Sequence, residues 1–350
     1  MPIVAKGQRH LTVRDRVKQL QTQRPNPSTA SGRSNYSPSL MSLVHKAAQH
    51  GLLQRRRRQF APSVMAVPAV LLLLTFIFAP LAYTIIISFM HWDLISAQKS
   101  FAGVSNYRDL WSTPGFLQSL ATTAGYGGLF LLVVVPGGFL LAKAVDTKLP
   151  GMGLARSVIF MPYVIPLVAA AVAWEWMFEQ EHGLLPKVFE ALGLGSPAML
   201  SGRWTAPLAI EIVFIWQYIG FYMLIFLSGL QGLDNSLAEA ARVDGASPTR
   251  IVRHVELPQL RPVVLFTVVF ALVQSFQLFD QIYVMTQGGP GTATFSIVYW
   301  LYTQAFQFFD IGSAAAGSVM LMAILALLTW IVLRVGRERT SGPGTVVKAL

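Results

Sequence analysis

Glu175, Glu211 and Asp280 stand inside long apolar runs of this sequence, and Gln274, Gln277 and Gln281 share the run of Asp280. An ionisable side chain at the centre of a membrane span costs at least about 2.5 kcal/mol, so such groups are kept mainly where they bind or conduct something. At helical spacing residues 273, 277, 280, 281 and 284 share one face, which makes Gln277, Asp280 and Gln281 a polar stripe with Gln274 beside it. Trp174, Trp176, Trp216, Tyr218, Tyr222 and Tyr283 cluster at similar depths. Amides and carboxylates pair with hydroxyls and flat rings cover C–H faces, so this set suits a hydroxyl-rich molecule. The expected lining is Trp216, Tyr218 and Tyr222 on one apolar run and Gln274, Gln277, Asp280, Gln281 and Tyr283 on the next. Two plainer readings compete: an interfacial belt for the rings, and acids reaching to external water for Glu175 and Glu211.

A second cluster is built for contact. Between two apolar runs lies Glu239-Ala-Ala-Arg-Val-Asp-Gly245, followed by Ala246-Ser-Pro-Thr-Arg-Ile-Val-Arg-His-Val-Glu-Leu257-Pro258. Small, helix-favouring residues predict a helix over 237–244, with Gly245 as its C-cap. Ser247-Pro248 predicts an N-cap followed by proline at the first helical position. The second helix is expected to end near Leu257, because Pro258 cannot donate to the preceding turn. Two short helices on a tight turn cannot bury a core of their own, so the unit reads as a docking element; the plainer alternative is an amphipathic helix lying on the membrane surface.

The elements that must position these residues are membrane spans. With 53% hydrophobic and 12% charged residues and a mean hydropathy of +0.52, the 350-residue chain is too apolar for a soluble domain. Six apolar stretches of about twenty residues or more each suffice to cross a 30 Å hydrocarbon core: 61–90, 116–142, 158–177, 206–230, 263–285 and 313–335. The fold class expected is an all-α membrane protein with six transmembrane helices. A basic tail over 1–60, without regular periodicity, precedes a membrane domain over 61–336, whose loop 231–262 carries the docking element, and a short tail covers 337–350. Residues 1–60 hold twelve Lys or Arg against the single acid Asp15, and Arg55-Arg56-Arg57-Arg58 reads as an anchor at lipid headgroups rather than a nucleic-acid site. Across the six spans, twenty-three basic residues fall on the side of both termini and of loop 231–262, against four on the other. The excess of basic residues places that side in the cytoplasm.

Glu239-Ala-Ala, three residues, Gly245, nine residues and Val255-x-Leu257-Pro258 resembles the EAA loop of permease subunits of ABC importers, with valine at a position usually isoleucine. Phe101-Ala-Gly-Val-Ser-Asn-Tyr107, Pro114-Gly-Phe116, Phe160-Met-Pro-Tyr-Val-Ile-Pro166, Gly229-Leu-Gln-Gly-Leu233 and Phe279-Asp-Gln-Ile-Tyr-Val-Met-Thr-Gln-Gly-Gly-Pro290 look like the sugar-permease branch of the same family. The similarity runs from about residue 62 to 335 and leaves out the basic tail. It implies the architecture of type I importer permeases and a place in a bacterial cytoplasmic (inner) membrane. It also implies four kinds of partner: two ATPase subunits that bind ATP and Mg, a second homologous permease, an extracytoplasmic solute-binding protein and the lipid bilayer. Glu239, Ala240, Ala241, Asp244, Gly245, Ser247, Pro248, Leu257 and Pro258 would then meet the ATPase, and Gln287-Gly-Gly-Pro-Gly291 the binding protein.

Catalysis by the chain itself finds no support. There is no Gly-x-x-x-x-Gly-Lys phosphate loop, no His-Glu-x-x-His pair and no cysteine, so no cofactor, metal or nucleic acid is expected on this chain. No Lys or Arg lies in the interior of the last five spans, which favours a neutral sugar or polyol over an anion. The rival reading is a secondary transporter driven by an ion gradient, for which a midplane ion site or inverted repeat would be expected.

Overall fold

In a computed structural model, the structure describes residues 66–338 apart from 96–98 and 148. The basic tail, the first residues of the expected first span and the C-terminal tail beyond 338 lie outside the described residues. Among the described residues five helices are long and apolar enough to cross a membrane: α1 (Ala66–Ile87), α3 (Phe116–Val145), α7 (Thr205–Gln231), the stretch Arg261–Met285 and α13 (Ile311–Gly336, continuing helical to Glu338). Between them lie β1 (Met90–His91) paired antiparallel with β2 (Ser100–Phe101), α2 (Ser105–Asp109), α4 (Met152–Val164), α5 (Leu167–Phe178) and α6 (Leu184–Ala191). The loop after α7 carries α8 (Asn235–Val243) and α9 (residues 248–259), and α12 (Ile297–Tyr302) precedes α13. In lipid every backbone polar group must be satisfied within the protein, and long helices do this segment by segment.

Two expected spans differ from straight helices. The third is α4 and α5, bent by 97° at Ile165-Pro166. Proline disfavours helical geometry in the residue before it, and Ile165 is extended at φ −70°, ψ 131°. The fifth is α10 (Arg261–Phe276) and α11 (Asp280–Met285), interrupted over 277–279, where Phe279 has φ −140°. The first span also ends earlier than expected, at Ile87, since Met90 already belongs to β1.

Proline does not always break these helices. Pro136 lies inside α3 and Pro162 inside α4. Pro80 follows a π-turn over Leu74–Phe78, and Pro258 follows another over Val252–Glu256. There the Leu257 N–H bonds the Val252 carbonyl, one residue further back than in an α-helix. The widened turn relieves the clash between the pyrrolidine ring and the carbonyl behind it. For this reason α9 runs on to Gln259 instead of ending near Leu257, with only Leu260 between it and α10.

The core lies between α3 and α7. Tyr126, Phe130 and Val134 meet Ile210, Phe214, Tyr218 and Tyr222, with Ala271 of α10, Leu278 of the break and Ile282 of α11 closing the cluster. Small residues set how closely the helices approach, as is usual where lipid supplies no hydrophobic drive between helices. A Cβ on Gly138 would fall 3.0 Å from the Cβ of Tyr222, and one on Gly220 only 2.1 Å from the carbonyl oxygen of Ile159. Gly220→Ala is therefore expected to force α4 off α7 at a cost of about 3 kcal/mol, read as a lowered Tm of the purified protein. Gly153→Ala, where a Cβ meets nothing within 4 Å, is expected to leave Tm unchanged or slightly raised.

Candidate functional site

The loop after α7 folds as its punctuation dictates, with one addition. Asp234 caps α8 by accepting from the backbone N–H of Ser236 at 2.9 Å, so the helix starts two residues before the expected Leu237. That N–H, with the Ser236 hydroxyl, holds the Asp234 carboxyl below its usual range. At the other end Gly245 (φ +78°) occupies the left-handed position. The Ala246 N–H reaches the Ala241 carbonyl at 2.9 Å and the Gly245 N–H reaches Arg242 at 3.0 Å, the double closure of a Schellman motif. Ser247 has the extended N-cap backbone, but its hydroxyl lies 3.3 Å from that of Thr249 and caps no N–H.

Loop residues expected to make contacts are largely presented to solvent. Glu239, Ala240, Asp244, Gly245, Ser247, Pro248 and Pro258 are exposed, while Ala241 and Leu257 are half-buried. Inward-facing Ala238 and Ile251 are buried. A cleft of about 390 Å³ lies between α8 and α9, walled by Ala241, Asp244, Arg250, Ile251, His254 and Val255.

The sequence reading missed what fastens this unit to the bundle. Lys143, in the last turn of α3, lies 2.9 Å from each carboxylate oxygen of Glu256, with hydrogen-bond alignment toward Oε1. Glu256 is buried in the π-turn of α9. Nothing in the spacing of two residues 113 positions apart announces the pair, although an acid between apolar residues just before a span is a signal that it needs a partner. Nearby, Gly229 at the end of α7 leaves room for Val263 and Leu260 at the entry to α10.

Within the spans, the polar residues are sorted by the two helix breaks. Gln274 Nε2 donates to the Tyr218 hydroxyl at 2.8 Å, a pair joining α10 to α7. The single stripe expected from Gln277, Asp280 and Gln281 is not formed, because the helix stops between them: Gln277 is exposed, Asp280 half-buried in the first turn of α11, and Gln281 buried. Gln281 instead donates to the side-chain carbonyl of Gln217 at 3.2 Å, and Gln217 donates to the Ile165 carbonyl at 3.1 Å. Gln217, 1% exposed, lies outside the expected set; the proline at 166, which frees a backbone carbonyl inside a span, was the signal for it. Tyr222 is fully buried, and its hydroxyl has no hydrogen-bond partner among the described residues. Trp216 packs edge-on to Trp174 at 5.2 Å, and Tyr283 stacks on Phe279 at 5.4 Å.

Of the other two acids, Glu175 is half-buried. Glu211 does not reach to water: it is 2% exposed at the wall of a cavity of about 880 Å³. That cavity lies between α3, α7 and the turn after α11. Among the described residues no group of three or more His, Cys, Asp or Glu is placed to hold a metal ion.

Long helices around a core sealed by small residues, with two broken spans and a pair of short helices in a loop, define the permease fold of ABC importers. The fold matches a solved bacterial alginate ABC transporter in complex with an alginate pentasaccharide-bound periplasmic protein at TM-score 0.72 and 19% identity, over 83% of this chain and 98% of that one. The chain belongs to the binding-protein-dependent transport system inner membrane component family, matched over residues 134–340. It is 33% identical over 269 residues to the sn-glycerol-3-phosphate transport system permease protein UgpA of Agrobacterium fabrum, covering 77% of this chain and 92% of that protein. It is 31% identical over 280 residues to the trehalose/maltose transport system permease protein MalF of Thermococcus litoralis, covering 79% of this chain and 93% of that protein.

Two experiments test the buried polar contacts. Gln217→Leu leaves the Ile165 carbonyl and Gln281 amide unpaired and is expected to cost about 2 kcal/mol, read as a lowered Tm. In a double-mutant cycle of Lys143→Met with Glu256→Gln, the two changes are expected to be non-additive by about 1 kcal/mol; additive losses would show that the ion pair does not fasten the loop.

Proposed function

We propose that this chain is the membrane-spanning subunit of an importer that carries a neutral sugar or polyol inward across the bacterial cytoplasmic membrane, driven by separate ATPase subunits. The observation that carries this reading is the mechanical continuity of loop 234–259 with the spans. A pair of short helices, the first of them capped, presents Glu239, Ala240, Asp244, Gly245, Ser247, Pro248 and Pro258 outward. It is joined through Leu260 to α10 and through the Lys143–Glu256 pair to α3. A rigid element seated on a moving partner tilts the helices attached to it, which is how a cavity is alternately opened to either side.

In this reading the loop and both termini face the cytoplasm, as the charge asymmetry supports. ATP and Mg are bound by two ATPase subunits that seat the loop, with Ala241 and Leu257 supporting the contacting residues from beneath. A second, homologous permease completes the membrane pore, and an extracytoplasmic binding protein delivers the solute. Tyr218 and Gln274, with Tyr222, Gln277 and Asp280 around them, line the path; Gln281, Trp216 and Tyr283 support its walls. The absence of Lys and Arg from the interior of the last five spans supports a neutral solute, as does the trehalose/maltose relative. The glycerol-phosphate relative favours a second reading, a phosphorylated polyol. Family membership lends nothing to a carrier driven by an ion gradient.

The test is uptake by the complete transporter, purified with its native partners and placed in proteoliposomes with its binding protein. Trehalose or maltose is expected to enter only when ATP reaches the ATPase side. Gln274→Ala is expected to slow that uptake about tenfold through loss of a hydrogen bond in the path, and Glu239→Lys to uncouple ATP hydrolysis from it. Uptake that persists without ATP and follows an ion gradient would overturn the reading, and uptake of sn-glycerol 3-phosphate alone would select the phosphorylated solute.

A further inference from the structure

The cavity beside Glu211 is separate from the Tyr218–Gln274 pair. Gln118, Thr122 and Tyr126 of α3 and Glu211 of α7 form its wall, with Arg203 and Trp204 at the entrance to α7. Neither carboxylate oxygen of Glu211 has a hydrogen-bond partner among the described residues, and neither does the hydroxyl of Tyr126, itself 5% exposed. A carboxylate buried without partners is costly, and the cost falls when a neighbouring molecule supplies donors. Arg203 does not fill that role: it is exposed, with its guanidinium carbon 5.9 Å from the centre of the Trp204 ring.

Following α3 and α7 one turn onward from Tyr126 and Glu211, the rings of Phe130 and Phe214 meet at 4.3 Å and are both buried. Tyr218, hydrogen-bonded to Gln274, lies one turn beyond. The aromatic pair therefore divides two polar stations along the same helix faces.

The chemistry of the first station selects its occupant. Sugar hydroxyls donate to both oxygens of a carboxylate and accept from a phenol; the side-chain carbonyl of Gln118, whose Nε2 donates to Thr292, and the hydroxyls of Thr122 and Ser201 extend the same pattern around the wall. The exposed Trp204 ring at the rim offers a flat face for C–H groups. A bare cation would engage Glu211 but finds no cluster of acids or imidazoles there.

We propose that this cavity is an outer holding site for a hydroxyl-rich solute, bound by the Glu211 carboxylate and the Tyr126 hydroxyl before it passes the Phe130–Phe214 ring pair. The proposal rests on the carbohydrate reading of the function. The test uses the complete transporter purified with its native partners, with trehalose and maltose as probes. Dicyclohexylcarbodiimide modifies buried carboxyl groups, and mass spectrometry reads its addition at Glu211. With the sugar at about ten times its Kd for the site, that labelling is expected to slow about tenfold, because only the unoccupied fraction reacts. Glu211→Gln and Tyr126→Phe are each expected to slow sugar uptake from saturating loaded binding protein about tenfold, with the amount of assembled complex unchanged.

If the parent complex takes up a sugar while its labelling of Glu211 is indifferent to that sugar, the holding site is overturned and the carbohydrate reading stands. Uptake within twofold of the parent in both variants overturns it equally. If neither sugar is taken up at all, the carbohydrate reading fails and this inference with it. Should Glu211→Gln fail to assemble, Tyr126→Phe and the labelling of the parent chain still decide the matter.

Discussion

The amide of Gln217 satisfies a backbone carbonyl that lipid cannot. Pro166 turns the chain through 97° inside the third span and frees the carbonyl of Ile165. A polar backbone group without a partner in hydrocarbon costs several kcal/mol, so a broken span is tolerated only where another helix completes it. Gln217 donates to that carbonyl and accepts from Gln281 beyond the second break. One buried side chain thereby ties both interrupted spans to α7. The bend lets α5 pack on Ala209 and Val213 of α7 and on Met285 of α11 through Ala171 and Phe178.

A second solution to the same difficulty appears in the loop. Pro258 stands in a helix that continues, because the π-turn over Val252–Glu256 moves the preceding hydrogen bond back by one residue. Continuity through a proline matters mechanically: α9 passes into α10 with only Leu260 between them, and the π-turn is also where Glu256 meets Lys143. A loop helix ending at Leu257 would hang from the bundle by a flexible joint, whereas this one is an extension of the span.

The two stations described along α3 and α7 have different chemistry. The Tyr218–Gln274 pair is neutral and internally satisfied, whereas Glu211 and Tyr126 are buried with unused hydrogen-bonding capacity. Partnered groups hold a shape; unpartnered ones mark a place where something else belongs.

Much of this was legible in the residues. Length of apolar runs marked the segments able to cross a membrane, because a bilayer demands about twenty apolar residues per crossing, and Gly245 and Pro248 marked the end of α8 and the start of α9 through φ preferences that act locally. The Tyr218–Gln274 contact joins two members of the residue set expected from type alone. What the sequence could not show was every feature set by a partner distant along the chain. A helical wheel assumes an unbroken helix, so it aligned Gln277 with Gln281 across a break that only tertiary packing imposes. Likewise the residue type left open whether Glu211 reaches water, and packing against α3 decides that it does not; Lys143 with Glu256, like Gln217 with Ile165, became partners through the fold. Local propensity and lipid solvation are read from neighbouring residues, but a buried polar group is satisfied by whatever the fold brings beside it, and that is decided in three dimensions.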